Sequence, residues 1–108
     1  MKDIIENSLK KGISYEAYRS LVSDLLTSGK STGIEQSEAL LDYSMLNDRR
    51  MKRLDKTIQL SEETITTAKS VQEPVTWLVL SEGWCGDAAQ TLPIINKIAN
   101  QSDFIDLK

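Results

Sequence analysis

The chain has 108 residues, a net charge of −3, 40% apolar and 27% charged residues, the profile of one ordinary globular domain that buries roughly 60–70% of its unfolded surface. No apolar run reaches the ~20 residues that span a bilayer, Met1–Ser8 carries charges where a signal peptide has its apolar stretch, and the acidic balance argues against nucleic acid as a partner; a cytoplasmic protein is expected. There is no histidine and a single cysteine, which excludes Ser-His and Cys-His pairs, His-ligated zinc and an intrachain disulfide and fits a reducing compartment.

Ile13-Ser14-Tyr15 reads as a helix start, with Ser14 as N-cap and Ile13 stapled to Tyr18. Tyr18, Leu21, Val22, Leu25 and Leu26 follow helical spacing, and Gly29 suits the C′ position. After the polar loop Lys30–Gly33, neither Gly nor Pro occurs between Ile34 and Glu73. A long helix is predicted over about 35–57, with Leu40, Tyr43, Met51, Leu54 and Ile58 along one stripe that Asn47 interrupts. Arg49, Arg50, Lys52, Arg53 and Lys56 crowd its second half. They read as a solvated face, with Asp48 and Lys52 as an i,i+4 pair, in preference to an anion site. Ser61-Glu62-Glu63 starts a further helix that buries Ile65, Ala68 and Val71; one continuous helix is the alternative, though an unusually long one.

Pro74 marks a change of character. Val75–Leu80 is a short, continuously apolar run, as in a parallel strand covered on both faces. Ser81–Gly86 is a loop, Asp87–Asn100 has helical spacing, and Phe104–Leu107 starts a second strand. Strand, helix and strand make a βαβ unit.

Cys85 therefore falls at the start of a helix that follows a parallel strand. Free backbone N–H groups and the helix dipole favour a thiolate there. Gly86 leaves the sulfur uncovered and Trp84 offers an apolar surface beside it, whereas Asp87 in the first turn opposes a nearby anion. A buried, inert thiol is the competing reading of Cys85, and plain packing that of Trp84.

These residues resemble a known family. Trp77-Leu78-Val79-Leu80 followed by Trp84-Cys85-Gly86, with Pro93 eight residues after the cysteine, is similar to the thioredoxin pattern of apolar strand, W-C-G-x-C and helix-kinking proline. The resemblance covers residues 75–108. Tyr43–Asn47, Arg50–Thr57 and Trp84–Gln90 further resemble a bacterial subgroup of thioredoxin-like proteins in which a helical N-terminal region precedes the fold. The implied fold class is α/β, a partial thioredoxin-like fold after an α-helical region, divided as 1–73 and 74–108. The implied site is Cys85 as nucleophile, with Trp84, Gly86 and Asp87 contacting substrate.

Three departures qualify what the resemblance implies. Ala88 occupies the place of the second, resolving cysteine, so the internal dithiol cycle is closed to this chain. Val79 stands where thioredoxins often bury a carboxylate. The sequence stops at Lys108, within the second strand, before the cis-proline loop that forms the other wall of the thiol site, as a shortened polypeptide or gene would, or the ordered part of a longer one. The expected function is monothiol exchange with an oxidised protein or a low-molecular-weight thiol, without metal or cofactor. The alternative is a non-catalytic interaction module. Iron–sulfur ligation, as in monothiol glutaredoxins, has poor support in Cys-Gly-Asp-Ala. If the chain truly ends at Lys108, its open apolar strand edge predicts a homo-oligomer.

Overall fold

The computed structural model describes residues 2–108. Its elements are α1 (Lys2–Lys11), α2 (Tyr15–Thr27), α3 (Glu38–Thr57), α4 (Glu62–Lys69), β1 (Val75–Trp77), α5 (Gly86–Ala99) and β2 (Ile105–Leu107). β1 and β2 pair in parallel, Val75 opposite Ile105 and Trp77 opposite Leu107, with α5 as the crossover between them. This is the expected α/β unit, strand, helix and parallel strand, preceded by helices.

The helix boundaries follow from local chemistry. Ser14, Ser37 and Ser61 each accept a hydrogen bond from the backbone N–H three residues on, satisfying one orphan donor of α2, α3 and α4. α2 ends in a Schellman motif: Gly29 takes φ +73°, its N–H donates to Leu26 and that of Lys30 to Leu25. No residue of α1 is buried.

α3 is the centre of the molecule, with α2 along one side and α5 along the other. Val22, Met51, Ala89, Leu92, Ala99 and Ile105 are buried. So is Tyr15, the first residue of α2, whose hydroxyl donates to Asp55 on α3 at 2.8 Å.

Several sequence-based expectations are corrected. The buried stripe of α3 is Ser44, Asn47 and Met51, while Tyr43 is 58% exposed. Asn47 does not interrupt the buried face but lies at its middle, because the loop facing it presents a backbone carbonyl and not an apolar surface. Asp48 pairs with Arg19 of α2 and not with Lys52, since Arg19 offers a fixed, partly buried partner across the helix seam. The first strand stops at Trp77, and Val75 and Leu80 are 40% and 87% exposed. It is not covered on both faces, since Val75 and Thr76 are exposed and Trp77 is half-buried, and β2 is its only strand neighbour among the described residues.

Candidate active site

Cys85 is the N-cap residue of α5, with extended backbone (φ −81°, ψ 112°), and its side chain makes no capping bond. The thiol is free and half-buried. Its N–H donates to the Glu82 carbonyl at 3.0 Å, closing a turn over Gly83 and Trp84, and its carbonyl accepts from Ala89. Strand end, turn and helix start thus place Cys85 at the N-terminal end of α5.

The turn is gripped from outside the βαβ unit. The Gly83 N–H donates to Thr32 Oγ1 at 2.8 Å, and the Gly83 carbonyl accepts from Asn47 Nδ2 at 3.1 Å. Thr32 also donates its hydroxyl to the Glu82 carboxylate. Behind them the Ser31 and Ser44 hydroxyls bond to each other at 2.8 Å. Asn47 and Ser44 are each 1% exposed, so the clamp works at low dielectric, where satisfied hydrogen bonds rigidify and unsatisfied ones are costly. Gly83 fits closely: a Cβ there would stand 3.4 Å from Ser44 Oγ, at the near limit of ordinary contact.

On the other side of Asn47, its Oδ1 accepts from Arg50 Nη1 at 3.1 Å. That nitrogen lies 3.4 Å from where a Cβ on Gly86 would stand, so a guanidinium borders the residue after Cys85. From α2, the Tyr18 hydroxyl meets Ser81 Oγ at 3.1 Å. Burial holds the Tyr18 phenol above its ordinary value, the Ser81 hydrogen bond works against that, and the electrostatic influence of Glu82 and Cys85 pushes it further up. Tyr18 therefore faces the loop as a neutral hydroxyl.

Trp84 is 39% exposed next to the cysteine. Asp87 is exposed in the first turn of α5. Ala88 is half-buried one turn beyond Cys85. Pro93 is buried inside α5, where it supplies no N–H for the Ala89 carbonyl. The structure thus brings Trp84, Cys85, Gly86, Asp87 and Ala88 together at the loop–helix junction, with Pro93 farther along α5. The residues that sequence reasoning missed are Thr32, Ser44, Asn47, Arg50 and Tyr18. The one usable signal is Ser44 and Asn47 at helical spacing with Met51 on a helix otherwise read as apolar on that side.

An apolar groove of about 310 Å³ opens between α1, α2 and the end of β1, lined by Ile13, Tyr18, Leu78, Leu80 and Leu92 among others; Cys85 does not line it. Among the described residues no cluster of three or more Cys, Asp or Glu side chains has metal-binding geometry, and no helix is long and apolar enough to cross a membrane.

No curated protein and no solved structure matches the chain. The family model described as Thioredoxin matches residues 33–108, a span that takes in α3 and α4 as well as the βαβ unit. With more than two thirds of its length matched, including Cys85 and the turn that carries it, the chain belongs to the thioredoxin family.

Proposed function

We propose that the protein carries out monothiol exchange at Cys85. The observation that supports this most is the placement of a free, uncapped thiol at the N-terminal end of α5, in a turn held by buried hydrogen bonds, with Ala88 where a resolving sulfur would stand. Helix N-termini favour thiolates, and thiolates are the attacking species. Cys85 attacks the disulfide of an oxidised protein or small thiol, Trp84 and Gly86 border the incoming chain, and an external thiol releases the mixed disulfide. The helical segment ahead of β1 fits the bacterial subgroup whose motifs this sequence resembles, and a single unpaired thiol fits the reducing cytoplasm. In this reading residues 1–73 are a helical region that packs on and braces the unit formed by 74–108.

The test is direct. A small activated disulfide mixed with the purified protein yields one mixed disulfide by intact mass, absent from Cys85→Ser. With thioredoxin reductase and insulin as substrate no turnover is expected, because Ala88 cannot resolve the intermediate. A thiol that alkylates at neutral pH more slowly than free cysteine overturns the reading. The result then favours the second one, a non-catalytic interaction module, which the exposed Tyr43, Met45 and Trp84 side chains support.

A further inference from the structure

In the second half of α3, from Asp48 on, the acids and bases are sorted to different sides. Asp48 and Asp55 face α2, where Arg19 bonds both of them and Tyr15 donates to Asp55. Arg49, Arg50, Lys52, Arg53 and Lys56 have no carboxylate within ion-pair distance among the described residues. In a chain of net charge −3, this leaves a cationic side to the helix, and Arg50 on it borders Gly86, the residue after Cys85.

Arg50 differs from its neighbours in being held. It is half-buried, its Nη1 is bonded to the carboxamide of the fully buried Asn47, and the same nitrogen lies against Gly86, the residue after Cys85. Arg53 follows one turn later on the same side. A guanidinium is always charged and offers a planar fork of donors shaped for a carboxylate. One nitrogen is engaged by Asn47, and no acidic side chain of the described residues takes the rest.

We propose that Arg50 is a specificity-determining residue of the Cys85 site, selecting disulfides that carry a carboxylate within one or two residues of the reacting sulfur. This rests on the exchange reading above. The Cys85 thiolate attacks one sulfur of the substrate. The substrate S–S bond breaks as the new one forms, and the departing sulfur leaves with the electron pair as a thiolate and takes a proton from solvent. One disulfide is consumed and one is formed, so no outside oxidant or reductant enters. The carboxylate does not react; it binds the guanidinium and holds the disulfide in line.

The experiment compares two peptide disulfides of identical length that differ only in Glu or Gln on either side of the cysteine, with oxidised glutathione as a low-molecular-weight source of the same chemistry. The wild-type protein is expected to react about fivefold faster with the Glu peptide, as a partly exposed ion pair provides. The ratio falls to about one in Arg50→Gln and at high salt, where the Debye length shrinks to about 3 Å, and Arg50→Lys keeps part of it. Because the readout is a ratio, a general slowing by either substitution cancels. If oxidised glutathione outpaces both peptides with the same Arg50 dependence, the carboxylate comes from a small thiol; if the Glu peptide is faster, it comes from a polypeptide. A wild-type ratio of one, or a ratio that Arg50→Gln leaves intact, overturns the role of Arg50 while exchange itself stands. Failure of Cys85 to react with all three overturns both.

Discussion

Asn47 shows how a single side chain ties two distant parts of the chain into one site. Its carboxamide donates to Gly83 and accepts from Arg50, so both halves of the amide are used in a fully buried position. Asn47→Ala leaves the Gly83 carbonyl without that donor and opens a small cavity, at a cost of about 2–3 kcal/mol. For a chain of this size that is roughly 10 °C in melting temperature. Thermal unfolding followed by circular dichroism checks the figure, and Asn47→Asp, which removes the donor but keeps the shape, should be nearly as damaging. A shift under about 2 °C would mean that the turn holds itself. Ala88→Cys probes the same turn from the helix side: on mild oxidation the titratable thiols should fall from two to none, provided the pair reaches disulfide geometry. Cys85, Trp84, Gly86 and Pro93 are legible in the sequence because they are close together and carry the family's spacing. Asn47 and Thr32 are not, because their bonds to Gly83 span 36 and 51 residues. Nothing local marks a hydrogen bond of that reach.

At the scale of elements, what is legible is what is decided locally. Ser14 and Ser61 cap with their hydroxyls and Gly29 takes the left-handed backbone open to a residue without a Cβ, as local chemistry dictates. A Cβ added at Gly29 would meet no atom within 4 Å, so Gly29→Ala should cost about 1 kcal/mol through its left-handed backbone alone, and Gly29→Asn less; a urea titration of both variants separates this from packing. What is not legible depends on neighbours. The extent of β1 is set by pairing with β2, so an apolar run that extends to Leu80 yields a strand that ends at Trp77. Periodicity places Tyr43 on the buried stripe, yet α5 packs against the adjacent one, that of Ser44, Asn47 and Met51. The α2–α3 seam makes a further prediction. Burial, and then the hydrogen bond and charge of Asp55, hold the Tyr15 phenol well above its ordinary value of 10.0. The folded state therefore keeps this proton after the unfolded chain has lost it. Its contribution is complete below pH about 10 and declines as the pH rises above that, toward the raised folded value. Denaturant midpoints measured from pH 8 to 11 should fall above pH 10, and Tyr15→Phe should flatten part of that fall while costing about 1 kcal/mol at pH 8 for the lost bond. An equally steep alkaline limb in Tyr15→Phe would assign it to other groups, Tyr18 among them.

The whole molecule exposes more than its mass requires. Its accessible surface is 7585 Å², against roughly 6,000 Å² for a folded monomer of 12 kDa. Its radius of gyration is 15.0 Å, against about 13 Å expected for this length. The shape explains both: extents of 44 × 38 × 19 Å describe a slab one or two helices thick. Ile4, Ile34, Leu80 and Phe104 are among its exposed large apolar side chains, and β1 and β2 pair only with each other among the described residues. Short two-stranded sheets are marginal without further cover, and unpaired strand edges pair readily with other chains. The surplus, on the order of 1,500 Å², is the size of a standard protein interface. A polypeptide of these 108 residues is therefore expected to self-associate, burying a surface of that order through the open sheet edge and the apolar face around Leu80. Light scattering across a dilution series at micromolar concentration should show a mass above that of one chain, falling on dilution, and Leu80→Lys should weaken the association by placing a charge in the contact. A cooperative monomer at all concentrations would mean that the helices around α3 stabilise the short sheet on their own and that the surplus surface is simply solvated.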